Sequence, residues 1–150
     1  MASISTAEST DLSQLPPLRI THRGSDTDGS YVRAEAVVRP LPGRAEEEPM
    51  DQAHRRWFEE TGAISHVHPL QEEAIEVLDG EYMVRVKGTD RRLKAGERAL
   101  IPKNTAHAHW NPTDRPVRIA VEHHPAGQSD KVFEAMYRFA QAGKATASGL

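Results

Sequence analysis

Apolar and polar residues alternate in short runs through most of the chain. In the run Tyr31 to Arg39, Val32, Ala34, Ala36 and Val38 fall on one side, with Arg33, Glu35 and Arg39 on the other. A period of two is the repeat of a β-strand, whose successive side chains point to opposite faces, so this run reads as one wall of a half-buried sheet. The run Leu18 to His22 reads the same way, and the turn-rich stretch Gly24 to Ser30 separates the two. Further strands are predicted at Ala74 to Leu78, Glu81 to Lys87, Arg98 to Ile101, Ala106 to Trp110 and Val117 to His123. Turn signals stand at Gly80, Gly88, Gly96 and Asn111-Pro112, and Asp79-Gly80 is read as a two-residue hairpin turn. Many short strands with regular turns predict an all-β sandwich or barrel.

Two segments break this alternation. Pro49 to Thr61 reads as a helix of about three turns, with Glu46 to Glu48 ahead of it, Pro49 as its first helical residue and Gly62 as its stop. Met50, Ala53, Trp57 and Phe58 share one side of it, which would either close over a pocket as a lid or cover the end of the barrel or a second subunit. The other segment is Asp130 to Ala142, with Ser129 as N-cap, Gly143 as C-cap and an apolar stripe of Val132, Phe133, Met136, Tyr137, Phe139 and Ala140. That stripe would dock on its own barrel or on a neighbouring subunit. The small, polar N-terminal run is read as a disordered tail. The expected organisation is a tail over 1–16, a β-barrel over 17–128, a C-terminal amphipathic helix over 129–143 and a flexible end over 144–150.

Composition narrows the class of function. A chain of 150 residues, 37% of them hydrophobic, can bury one core. Its net charge of -3 and pI of about 6.2 supply no basic field for nucleic acid or an anionic membrane. With no cysteine there are no disulfides, thiolate ligands or cysteine nucleophiles. No apolar run is long enough to span a bilayer or serve as a signal peptide, so a cytoplasmic location is expected.

The candidate chemistry lies in two runs, HVHPLQEEAIEVLDG and GERALIPKNTAHAHWN. In a strand His66 and His68 project to one face and Val67 to the other; Glu73, Ile75 and Val77 share a face of the next strand, with Glu72 turned away. His107 joins them from a separate segment. Three imidazoles and one carboxylate make a transition-metal donor set that suits iron, manganese, nickel, copper or zinc, whereas magnesium and calcium prefer oxygen throughout. His109 has the phase of His107 and so would also face inward, as general acid, general base, hydrogen-bond donor to a substrate or support for a ligand. Tyr82, Val84 and Val86 would line the same interior with Val117, Ile119 and Val121, and Trp57 and Phe58 would add to the pocket from the helix before it. His123 shares the phase of Val121, but with His124 and Pro125 following it reads as a solvated strand end. Trp110 would face outward. A mostly apolar pocket with few polar groups suits a small, largely apolar or aromatic molecule carrying one or two oxygens.

These residues resemble the two motifs of the cupin family. His66, His68, Glu73 and Gly80 fit the first, and Gly96, Pro102, His107 and Asn111 fit the second. Two positions depart from the pattern. Asn104 stands where the family has glycine, and asparagine is the non-glycine residue that best tolerates a left-handed backbone. Gly62 lies two positions closer to His66 than the family's opening glycine. The resemblance covers roughly Tyr31 to Glu122. It implies a cupin jelly-roll β-barrel, with a short helix before the first metal strand and a C-terminal helix, and homodimers, which are common among cupins. It also implies one divalent transition metal on His66, His68, Glu73 and His107, with iron favoured and zinc, nickel, manganese or copper as the other choices. With iron, the resemblance implies dioxygenase chemistry. With zinc or nickel the metal would act as a Lewis acid in a non-redox isomerase or cyclase, such as one for polyketide ring closure. A non-enzymatic cupin that binds a small molecule is the third reading. No DNA-binding segment accompanies the barrel.

Overall fold

The computed structural model describes residues 11–40 and 65–141. Among these residues the chain forms eight strands: β1 (Leu18–His22), β2 (Val32–Val38), β3 (Glu72–Asp79), β4 (Glu81–Val86), β5 (Thr89–Lys94), β6 (Arg98–Ile101), β7 (His107–Trp110) and β8 (Val117–His124). One helix, α1 (Ser129–Gln141), follows them. A 3-10 turn at Leu12–Gln14 lies inside the stretch expected to be a tail. The helix expected over Pro49 to Thr61, and with it Trp57 and Phe58, lies outside the described residues. Among the described residues no helix is long and apolar enough to cross a membrane.

The strands form two antiparallel sheets, one in the order β1-β2-β8-β3-β6 and one in the order β5-β4-β7. No ladder joins the two sheets among the described residues, so the all-β fold is a jelly-roll of two facing layers. The core fills the space between them. Ala36 and Val38 of β2, Ile75 and Val77 of β3, Ile101 of β6, and Val117 and Ile119 of β8 meet Tyr82 and Val84 of β4 and Leu93 of β5. Along each strand these are alternate residues, as the pleat requires. Each large apolar side chain removed from water this way contributes about 1.5–3 kcal/mol.

Asp79-Gly80 is not the hairpin it was expected to be. β3 pairs with β8 and β6, whereas β4 pairs with β5 and β7, so the chain changes sheets at this corner. Gly80 has a φ of +95°, and a Cβ there would come within 2.9 Å of Val117 Cγ2. The two-residue hairpin lies one strand later, at Lys87-Gly88. Both residues have positive φ, +50° and +79°, as the turn that suits strand twist demands, and they close the pair Val86 and Thr89. The second strand of this hairpin, β5, was not expected. Of its residues TDRRLK only Leu93 is buried, so its sequence carries no apolar alternation; the charges suit a sheet edge.

Phe133, Met136 and Tyr137 of α1 pack against the chain's own core, one of the two docking arrangements expected for the C-terminal helix. An ion pair between Arg23 and Glu134 fixes the helix to the loop after β1.

Candidate metal centre

The segment carrying His66 and His68 is not a regular strand. His66 makes a single bridge to His107, with His66 N–H donating to His107 O at 2.9 Å and His107 N–H to His66 O at 3.0 Å. The alternation of side chains survives: Val67 faces solvent, 43% exposed, while both histidines turn inward. His68 O accepts from Asn104 N–H at 2.7 Å, and Asn104 holds a φ of +58°, the left-handed conformation expected of it. Both histidine backbones are thus tied to the segment that delivers His107.

Glu73 enters from the other sheet. It lies on β3, in register with His123 of β8 and Ile101 of β6, and is only 3% exposed. One ligand atom from each of His66, His68, Glu73 and His107 can be chosen so that all four lie within 4.8 Å of one another. His107 Nε2 is 2.6 Å from Glu73 Oε2, and His68 Nε2 is 3.6 Å from the same oxygen. His107 Nδ1 is 2.8 Å from Thr105 O, a carbonyl that can only accept; Nδ1 therefore carries a proton, and Nε2 is the nitrogen that faces Glu73. Glu73 Oε2 and His107 Nε2 are both buried and face each other, so a cation has to stand between them, either a proton on His107 or a metal ion. With His66 and His68 beside them, this group could hold a metal ion.

The electrostatics agree with this arrangement. Burial pushes the Glu73 carboxyl up, but the imidazoles of His107, His123 and His68 draw it well below the usual carboxylate range, so it is ionised. Burial lowers the His107 pKa, and Glu73 and the Thr105 carbonyl more than reverse this, raising it. His109 is buried on the same strand as His107, and burial pulls it down to about 4. Its Nδ1 is 2.5 Å from the Tyr82 hydroxyl, whose own pKa burial raises well above the usual phenol value. A phenol that keeps its proton donates it, so His109 Nδ1 accepts and the neutral ring carries its proton on Nε2.

The remaining expected residues are placed as follows. Tyr82 reaches His109, while Val84 and Ile119 are packed in the apolar core. Trp110 is half-buried with the Arg85 guanidinium 5.1 Å above its ring, on the face away from His107 and His109. His123 is a correction. Far from a solvated strand end, it is 4% exposed, with Nε2 3.3 Å from Glu73 Oε1. Its phase with Ile119 and Val121 was visible in the sequence; that the C-terminal helix would come to rest on it was not. Asn111, a motif residue, is fully buried and holds the fold together: its amide donates to Val38 O and Arg115 O and accepts from Thr113 N–H.

Residues 59–124 match the family model described as a cupin domain. No curated protein matches the chain. Among solved structures, a protein from Thermotoga maritima described as a predicted oxalate decarboxylase is similar at 14% identity, with a TM-score of 0.56 over 72% of this chain and 78% of that one. KdgF from Halomonas sp. is 13% identical, with a TM-score of 0.55 over 78% and 88% of the two chains. The cupin domain of an XRE family transcriptional regulator from Enterobacter cloacae is 16% identical, with a TM-score of 0.51 over 71% and 93%. At these identities the likeness is one of fold.

Proposed function

We propose that this chain, whose residues 59–124 match the cupin domain model, is a metalloenzyme acting on a small, largely apolar or aromatic oxygenated molecule, with dioxygenase-type chemistry as its reaction. The observation that carries the metal reading is the convergence of four donor side chains, His66, His68, Glu73 and His107, each with a ligand atom within 4.8 Å of the others. His66, His68, Glu73 and His107 would hold the ion. Iron there would supply redox chemistry towards dioxygen, whereas zinc or nickel would supply Lewis acidity.

In this reading His109 would act as a fixed hydrogen-bond donor. With Nδ1 engaged by Tyr82, what it offers is a neutral Nε2–H, and its ring lies 6.1 Å from that of His66. A donor fixed in this way orients a substrate oxygen and stabilises charge as it develops there. Replacing His109 with alanine should leave metal content unchanged and lower turnover by about 10²–10³-fold. Unchanged turnover would remove it from the reaction.

The Tyr82–His109 pair also favours a second reading. A hydroxyl and an imidazole in line form a path along which a proton can move, which suits non-redox isomerisation or cyclisation. Elemental analysis of protein purified without added metal and without oxygen, beside a His66→Ala control, separates the readings. Iron near one per chain, absent from the control, leads to oxygen-consumption assays on phenolic and diketone compounds. Zinc or nickel at that level favours the proton-transfer reading. Protein that neither retains nor takes up metal would sink both and leave a small-molecule-binding cupin.

A further inference from the structure

We propose that His123 is a positioning residue for the metal centre, holding the Glu73 carboxylate so that Oε2 faces the ion, and that Ser129 and Gln71 in turn hold His123, tying the start of α1 to the coordination site. This rests on the metal reading above and goes beyond it, because His123 is outside the four-residue donor group.

A line of polar contacts runs from Gln71 to Glu73. Oε1 of the Glu73 carboxylate accepts from His123 Nε2, 3.3 Å away. On the other side of the ring His123 Nδ1 is 2.8 Å from Ser129 Oγ, and Gln71 Nε2 lies 2.8 Å from the same oxygen. The Gln71 nitrogen also stands 2.7 Å from Pro125 O and 3.1 Å from Ala126 O, so two carbonyls fix which end of the amide is nitrogen, and its two protons are divided among these three oxygens. Oε2 is the oxygen left over, and it is the one that faces His107 and His68.

Backbone and packing hold the same geometry. Glu73 and His123 are opposite residues in the β3–β8 ladder, so their side chains meet on one face. Phe133 of α1 packs on the His123 ring at 5.0 Å between centroids, and His68 packs on it at 4.8 Å. A carboxylate without this partner could turn either oxygen to the ion or swing away. Partners of metal ligands commonly matter by about 10–100-fold in affinity.

The test uses the full chain, stripped of metal by a chelator and titrated with Co²⁺, whose visible absorption reports coordination geometry. His123→Leu should weaken Co²⁺ binding by about 10–100-fold and change the spectrum, and His123→Gln, which keeps a donor, should restore both towards wild type. Ser129→Ala should weaken binding by a smaller factor with the fold intact. Wild-type affinity and spectrum in His123→Leu would overturn the proposal, as would a His123→Gln variant no better than His123→Leu, which would reduce the residue to packing. If His123→Leu does not fold, Ser129→Ala decides: unchanged affinity overturns the chain of contacts. His68→Ala controls for the underlying reading, since wild-type protein that takes up no Co²⁺, or that loses none in this variant, refutes the metal centre itself.

Discussion

Replacing Gly80 with alanine tests whether the corner between the sheets is as constrained as its geometry says. Gly80 has a φ of +95°, beyond even the small left-handed region that other residues visit, and holding alanine there costs about 1–2 kcal/mol. The new methyl carbon would also sit 2.9 Å from Val117 Cγ2 and 3.5 Å from Val117 Cα. Val117 is 1% exposed and packed in the core, so it has little room to give, and forcing a carbon into such a site costs a further ~1–3 kcal/mol. The combined loss of roughly 2–5 kcal/mol is a large part of the ~5–15 kcal/mol by which a domain is stable. For a chain of 150 residues each kcal/mol is about 2–4 °C of Tm. Gly88→Ala is the matched control: its φ is +79°, yet nothing lies within 4 Å of the Cβ position, so it bears the backbone cost alone. Urea unfolding of both variants isolates the contact with Val117. If Gly80→Ala loses no more than Gly88→Ala, to within about 0.5 kcal/mol, the corner relaxes freely and the steric argument is wrong.

Asn111→Ala should cost roughly 2–4 kcal/mol in urea unfolding, because it removes the donor to Val38 O and Arg115 O and the acceptor for Thr113 in a buried place. Asn111→Asp should be no better, since a carboxylate cannot donate to those carbonyls. Glu122 is drawn below the usual carboxylate range: burial raises it, but His124, Arg33 and Arg98 lower it by more. A folded pKa below the unfolded one adds stability that is present above about pH 4.5 and lost as pH falls through the folded value. Glu122→Gln should therefore flatten the acid side of the stability profile below about pH 5, by no more than about 1 kcal/mol because the pairs are partly solvated. An unchanged slope would show that these pairs contribute nothing.

The donor residues were legible because each lies in a stretch where alternation decides its face. His66, His68, Glu73 and His107 needed only the period of two and their spacing to be grouped, and Asn104 its tolerance of positive φ. What was missed depends on contacts between distant segments. Asp79-Gly80 gives the same local signal whether the next strand folds back on the last or crosses to the facing sheet, and only the pairing of β3 with β8 distinguishes them. β5 is legible through its partner alone, since Leu93 is its single buried residue. His123 had the right phase, but its neighbours pointed to a strand end; Ser129 and Phe133 arrive from beyond the sheet to bury it.

The division of the donors between layers has a mechanical meaning. Glu73 belongs to the five-stranded sheet and His107 to the three-stranded one, and no ladder links those sheets among the described residues. An ion held by both would be a clasp across the sandwich, resisting any slide of one layer over the other. Because only the closed sandwich presents both ligands, binding would draw the population towards it, by about 2.7 kcal/mol when free metal is a hundredfold above Kd. The same bond would then serve chemistry and cohesion at once, and loss of metal would loosen the whole body of the protein along with its centre.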